Sequence, residues 1–305
     1  LRPTDQVIAI VCSDIHLSQR APLARLAEPD WYAAMRRPLQ QLEAIMEQHQ
    51  APLFIAGDVF DRWDAPPELI NFALEHLPDC HALVGQHDLP AHNYKDLHRS
   101  AYQSLVLAGK ISNMKPGSCS NFEGSDAVWY AFPFGCELHT RPVPLGGPPH
   151  VAFCHKYCWR GKPREFDTAD TILSSLKQDL LGFDVAFFGD NHRGFSEFSS
   201  DRRPLVMNCG TLMRRKFDER DYTPQVGLLT AGGFIRPQFL DCSQDRFSDP
   251  PDLPRGLTVN MDDFLTELRE LSDRVMDFRR AVQHACEARG VTKAVAEILL
   301  SSLDP

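Results

Sequence analysis

Apolar and polar positions alternate along this chain in blocks rather than uniformly. Short, predominantly apolar runs at Val7–Cys12, Leu53–Ala56, Ala82–Val84, Val128–Phe132, Val151–Cys154, Val185–Phe188 and Leu205–Asn208 have the length and continuity of strands buried on both faces. Between the first two, from about Trp31 to Gln48, Met35, Leu39, Leu42, Ile45 and Met46 recur at the three-and-four spacing of one helical face. A second helix is predicted over Glu68–Leu77 behind a Pro-Pro start. Strand–helix alternation predicts crossovers over a sheet with parallel pairs, while the second half of the chain is richer in strands. Val226–Thr230 and Phe234–Leu240 around a Gly-Gly turn predict a hairpin.

Two stretches break the pattern. Residues 141–150 (RPVPLGGPPH) are too rich in Pro and Gly for regular structure. Residues 243–256 are expected to be a linker between a catalytic domain over 1–242 and a helical segment over 257–305. In that segment Phe264, Leu265, Leu268, Leu271, Val275, Met276 and Phe278, then Val291, Ala294, Val295, Ile298 and Leu299 beyond Gly290, form two apolar helix faces suited to packing back on the body, to a second copy, or to another protein.

The 305 residues carry a formal net charge of −9, which disfavours a surface that is basic all over and leaves room for local basic patches. No apolar run approaches the roughly 20 residues of a membrane span, and no signal peptide is visible. Nine cysteines without framework spacing point to a reduced, cytoplasmic setting. Cys154 and Cys158 flank His155 like half a zinc clip, but no second Cys/His pair sits at a matching distance, so structural zinc is not expected. The chain opens on Leu1, so native residues ahead of it are expected.

The chemistry lies just past the apolar runs, where α/β sheets collect functional residues. Val7–Cys12 leads to Ser13-Asp14-Ile15-His16. Leu53–Ala56 leads to Gly57-Asp58 and on to Asp61. Ala82–Val84 leads to Gly85-Gln86-His87-Asp88. Val151–Cys154 ends on His155, and Val185–Phe188 leads to Gly189-Asp190-Asn191-His192. A single Asp at such a place is most often a turn or a helix cap. Five strand exits in succession, each with a metal-ligating residue type, point to a divalent metal site, and Asp, His and amide oxygen together suit Mn²⁺.

This order resembles the calcineurin-like metallophosphoesterase superfamily, whose pattern is Asp-x-His, Gly-Asp-x-x-Asp, Gly-Asn-His-Asp/Glu, a lone His, then Gly-His-x-His. The resemblance implies a two-sheet αββα sandwich with, here, a small C-terminal helical appendage. It also implies two divalent ions, Mn²⁺ foremost with Mg²⁺ as the alternative. Asp14, His16, Asp58 and His192 would hold one, and Asp58 would bridge to a second completed by Gln86, His155 and Asp190. Water activated between ions about 3.5–4 Å apart would attack phosphorus. His87 would serve the leaving oxygen, oriented by Asp88 or Asp61. Two positions depart from the family: Gln86 stands for Asn and Asp190 for His. Both replacements can still ligate, so the site reads as a variant rather than a relic.

Within the superfamily, residues 56–68 (AGDVFDRWDAPPE) and 208–219 (NCGTLMRRKFDE) look most like the SbcD-type DNA repair nucleases. Such nucleases pair with a second copy and with an SMC-like ATPase, so DNA, a homodimer and such an ATPase are the partners implied. Lys156, Arg160, Arg193, Arg214 and Arg215 are the expected substrate contacts, with Tyr157, Trp159, Lys162, Arg164 and Lys216 nearby and His92 and His98 just beyond His87. A solvated basic face explains the same cations. Three readings stay open: a DNA exo- or endonuclease, which is favoured; a phosphodiesterase or phosphatase for nucleotides or other small esters; and a metal-free binding scaffold.

Overall fold

The computed structural model describes residues 4–140, 147–161, 171–197 and 204–249. The chain divides into two compact units, Leu1–Pro250 and Pro251–Pro305. The second unit, with the predicted C-terminal helices, lies outside the described residues.

In chain order the body begins with β1 (Val7–Cys12), α1 (Trp31–His49), β2 (Leu53–Ile55), α2 (Pro67–His76), β3 (Cys80–Ala82), α3 (Ala101–Leu107) and β4 (Ile111–Asn113). It continues with β5 (Cys119–Phe122), β6 (Ser125–Phe132), β7 (His150–His155), α4 (Leu173–Asp179), β8 (Val185–Gly189), β9 (Phe195–Glu197), β10 (Leu205–Asn208), β11 (Gln225–Thr230) and β12 (Ile235–Phe239). Two six-stranded sheets result, in the orders β12-β11-β1-β2-β3-β4 and β5-β6-β7-β8-β10-β9. Each has a parallel centre and antiparallel strands only toward one or both edges.

Strict alternation along the central strands places the layers. Val11, Phe54, Ala56, Phe153, Phe187 and Met207 point between the sheets, where Trp129 stacks on Phe54 with ring centroids 3.7 Å apart. Ile10, Cys12, Leu53 and Ile55 point the other way, onto Leu39 and Leu42 of α1, Phe72 of α2 and Leu105 of α3. Ala152, Cys154, Ala186 and Phe188 face Leu173 and Leu176 of α4. The result is the helix–sheet–sheet–helix sandwich that the resemblance implies. Cys154 and Cys158 both lie in this last apolar layer, where burial raises both thiols.

The structure differs from the sequence reading in places. The third strand forms at Cys80–Ala82 rather than 82–84, and α3, α4, β4, β5 and β9 come from stretches without a clear period. Residues 243–249, expected to open a linker, are bound to the body. The Asp245 carboxylate takes Arg25 (2.8 Å), Arg214 (3.0 Å) and Arg37 (3.2 Å). The Phe247 ring lies under the guanidinium groups of Arg25, Arg214 and Arg220. Among the described residues no helix is long and apolar enough to cross a membrane.

Candidate metal centre

The parallel strands β1, β2, β3, β7 and β8 deliver their carboxyl ends to one place, and the backbone there is bent to aim side chains inward. Asp14, His16, Asp58 and Asp190 all have left-handed φ, at 51°, 50°, 54° and 80°. Such a conformation costs a non-glycine residue about 1–3 kcal/mol and collects at functional sites. Glycine clears the space between these residues. A Cβ on Gly57 would lie 2.1 Å from His155 Nδ1, and one on Gly85 would lie 2.0 Å from Asp58 Oδ1.

Asp14, His16, Asp58 and His155 form a buried floor. Gln86, His87, Asp190 and His192 form a partly exposed lip. Three sets of donor atoms come close enough to share an ion: Asp14, His16 and His192; Asp14, Asp58 and His155; and His16, Asp58 and His87. His16 Nε2 and His192 Nε2 meet at 3.0 Å. Asp58 Oδ2 is buried without a hydrogen bond, 3.5 Å from His155 Nε2 and 3.7 Å from His16 Nε2. A buried carboxylate oxygen left so is costly unless a cation meets it. The donor set therefore fits divalent metal.

Charge in the pocket says the same. Burial pushes Asp14 up to about 6, partly opposed by His155 and reinforced by Asp58. Burial would lower His155, but Asp58, with Asp14 and Asp190, overcomes it and lifts the imidazole to about 10. Burial alone would raise Asp58, and His155, His16 and His87 hold it below the usual carboxylate range instead. Burial leaves His16 well below its ordinary value, neutral and fit to ligate. A pocket that holds a proton on His155 against its carboxylates can exchange that proton for a divalent ion.

The two departures from the family pattern sit together. Gln86 Oε1 accepts from His155 Nε2 at 2.6 Å, and Gln86 Nε2 donates to Asp190 Oδ1 at 2.6 Å. The Asp190 N–H in turn donates to both Asp14 carboxylate oxygens at 3.1 Å. Gln86, His155 and Asp190 thus form one hydrogen-bonded chain, two oxygen donors and an imidazole, with His155 Nε2 3.5 Å from Asp58 Oδ2.

His87 Nδ1 is bonded to the backbone carbonyl of Asp61 at 2.8 Å. That carbonyl requires a proton on Nδ1 and leaves Nε2 as the free nitrogen. The Asp61 carboxylate does not orient His87; it holds Arg215 at 2.6 Å and stands 3.8 Å from His16 Nδ1. Asp88 does not orient His87 either, a second correction. Its buried oxygens take the N–H groups of Gly85, Phe60 and Val59 at 3.0, 3.0 and 3.3 Å, so it fixes the loops that carry Asp58 and Gln86. Burial, with Asp58, pushes it up to about 7.

Of the expected substrate contacts, Lys156, Arg193 and Arg215 flank the ligand residues, and Arg160 lies exposed over the Phe195 ring. Arg193 pairs with Asp218 at 3.2 Å and stays 43% exposed. Arg214 does not belong with them. Its guanidinium bonds Asp245, the Arg220 carbonyl and the Cys242 carbonyl, so every nitrogen works in the body. Lys162 and Arg164 lie outside the described residues.

The stretch 208–219 carried a resemblance in the sequence, but no site role was read for Glu219, which is buried and hydrogen-bonded to His192 Nδ1 at 3.0 Å. None was read either for Asn208, whose side chain holds the carbonyls of Asn191 and Arg193, or for Thr211, which bonds the Asp14 carbonyl at 3.1 Å. The Glu lies 27 positions from its histidine, and no local motif links the two.

Facing mixed sheets with carboxylates and imidazoles gathered at their strand ends define a metallophosphoesterase sandwich. A family model for calcineurin-like phosphoesterases matches residues 9–194, more than half of the chain, and the chain belongs to that family. Family membership makes metal-dependent phosphoester hydrolysis its reaction class, and the family usually binds two divalent metals. Two solved structures are similar. A metallophosphoesterase from Sphaerobacter thermophilus is 11% identical over 76% of this chain and 88% of that one, with a TM-score of 0.37. The calcineurin-like phosphoesterase YfkN from Bacillus subtilis is 11% identical over 88% of this chain and 100% of that one, with a TM-score of 0.46. No curated protein matches the chain.

Proposed function

We propose that this protein is a dinuclear-metal phosphodiesterase whose substrate is DNA. The observation that carries the reading is the coincidence, at one set of strand ends, of the ligand floor, the free His87 nitrogen on its lip, and cations on the loops after β7, β8 and β10. Asp14, His16 and His192 would hold one ion, with Asp58 bridging to a second held by His155, Gln86 and Asp190. When bound, the ions supply positive charge for the phosphoryl oxygens and lower the pKa of water for attack.

The chain's own residues do the rest. His87, fixed through Nδ1 by the Asp61 carbonyl, can carry a second proton on Nε2; as the imidazolium it gives that proton to the leaving oxygen and returns to the neutral Nδ1–H form. Arg215, tethered to Asp61, and Lys156 offer positive charge to the phosphate backbone. Arg160 and Arg193 extend that charge along the strand.

A second reading, hydrolysis of nucleotides or other small esters, is favoured by one observation. Arg193 and Arg215 are each paired with a carboxylate and Arg214 is withdrawn, which leaves little free cationic surface among the described residues. Assays with Mn²⁺ on single-stranded, blunt and hairpin DNA, beside bis(p-nitrophenyl) phosphate, separate the two. Cleavage of DNA supports the nuclease. Turnover of the small ester with no DNA cleaved under any Mn²⁺ concentration refutes it.

A further inference from the structure

We propose that Glu219 is a positioning residue that couples the metal centre to the arginine loop, an inference that rests on the phosphodiesterase reading for its second half. The two carboxylate oxygens divide the work. Oε1 accepts from His192 Nδ1 at 3.0 Å, while Oε2 accepts the backbone N–H groups of Arg215 at 2.6 Å and Lys216 at 2.9 Å. The carboxylate is 2% exposed, so water does not compete for these bonds.

The geometry has two consequences. A proton on His192 Nδ1, given to Glu219, leaves Nε2 bare and aimed at His16 Nε2, 3.0 Å away. Fixing the tautomer and ring of a ligating histidine in this way raises its basicity toward a cation. The same carboxylate sets the backbone from which the Arg215 guanidinium reaches Asp61 at 2.6 Å. Arg215 Nε is buried, but the side chain as a whole is 12% exposed beside Asp61, and that open edge of the guanidinium is what a phosphate oxygen would meet. A cation pulling on His192 and a phosphate pulling on Arg215 therefore act on one side chain.

The test is calorimetric titration of Mn²⁺ into the full-length protein and its Glu219→Gln variant. Gln keeps one acceptor oxygen and puts an NH₂ donor where the second was, so it cannot serve both partners. Mn²⁺ affinity is expected to fall by about 10- to 100-fold, the usual effect of removing such an outer partner. With Mn²⁺ saturating, KM for a phosphodiester is expected to stay raised. Arg215→Ala should raise KM with Mn²⁺ affinity at the wild-type level, and adding Glu219→Gln to it should raise KM no further.

A variant with wild-type Mn²⁺ affinity and only a lower melting temperature overturns the proposal. If the Gln variant fails to fold, ¹⁵N-histidine NMR of the metal-free wild type decides. The Nδ1–H tautomer at His192 supports it and the Nε2–H tautomer overturns it. Failure of the two readings is distinguishable. A wild type inactive on every phosphodiester, with Mn²⁺ binding still dependent on Glu219, refutes the hydrolase and leaves the metal half of the role standing. An active wild type whose Mn²⁺ affinity ignores Glu219 refutes the coupling alone.

Discussion

His16 and His192, 176 positions apart in sequence, bring their Nε2 atoms to 3.0 Å. Each ring is held from elsewhere in the fold: His192 by Glu219, and His16 on a left-handed backbone packed against Asp58 and Asp61. Two nitrogen lone pairs repel at that distance unless a proton or a cation lies between them. Metal should therefore stabilise the fold by binding the native state alone. Mn²⁺ at about a hundred times its Kd should add about 2.7 kcal/mol, seen as a rise in melting temperature that EDTA reverses. His192→Ala should lose most of the shift. An equal melting temperature with and without Mn²⁺ would contradict the site.

His87 is set apart from the ligands by its bond to the Asp61 carbonyl, although its ring comes within reach of an ion shared with His16 and Asp58. His87→Ala should keep metal content near that of the wild type and slow turnover by about 10²-fold or more, the usual worth of a general acid. Metal analysis beside kcat decides; metal content that collapses with the rate makes His87 a ligand.

Gly85 is sterically forced. A Cβ there would meet Asp58 at its Oδ1 and at its backbone nitrogen, 2.0 and 2.4 Å away, and backbone cannot rotate aside as a flexible side chain would. Gly85→Ala should cost about 1–3 kcal/mol by overpacking and weaken metal binding by displacing the bridging carboxylate. A variant with wild-type melting and Mn²⁺ affinity would show that this loop has slack.

Gln86 and Asp190 share one hydrogen bond. An amide and a carboxylate oxygen make the second position hard, suited to Mn²⁺ or Mg²⁺. Asp190→His with Gln86→Asn should shift the metal profile toward Zn²⁺ without abolishing binding. Rates and affinities across a metal series read this out. An unchanged profile would place both side chains outside the second site.

The residues proposed as ligands were conspicuous in the sequence because their strands are buried on both faces. A wholly apolar run such as Val7–Cys12 or Val185–Phe188 makes the polar residue that ends it conspicuous. Short strands that are mostly exposed were not legible. Within β4 only Ile111 is buried, and β9 is half-exposed throughout, so neither leaves an apolar signature. For α3 the signal existed: Ser100 caps the helix by accepting the Gln103 N–H, and Tyr102 and Leu105 lie on its buried face. Arg214 and Arg215 show the limit of reading loops. Adjacent and identical, they turn to different partners: Asp245 holds one in the body and Asp61 draws the other to the site. Only tertiary placement separates them, as it does for Asp88, whose three backbone partners come from two different loops.

One buried carboxylate, Asp58, is proposed to join two metal positions into a hydrolytic site. Asp58 sits between the histidines of both, with Oδ2 unpaired and Oδ1 held by the His87 N–H at 3.0 Å. Asp58→Asn preserves shape and that N–H contact but removes the charge that would hold two cations together. The most direct measurement is phosphodiester turnover with Mn²⁺ for wild type and Asp58→Asn, with circular dichroism to confirm folding. A folded variant with turnover reduced to background is the result predicted. Undiminished hydrolysis by that variant, or by wild type stripped of metal with a chelator, would contradict the account.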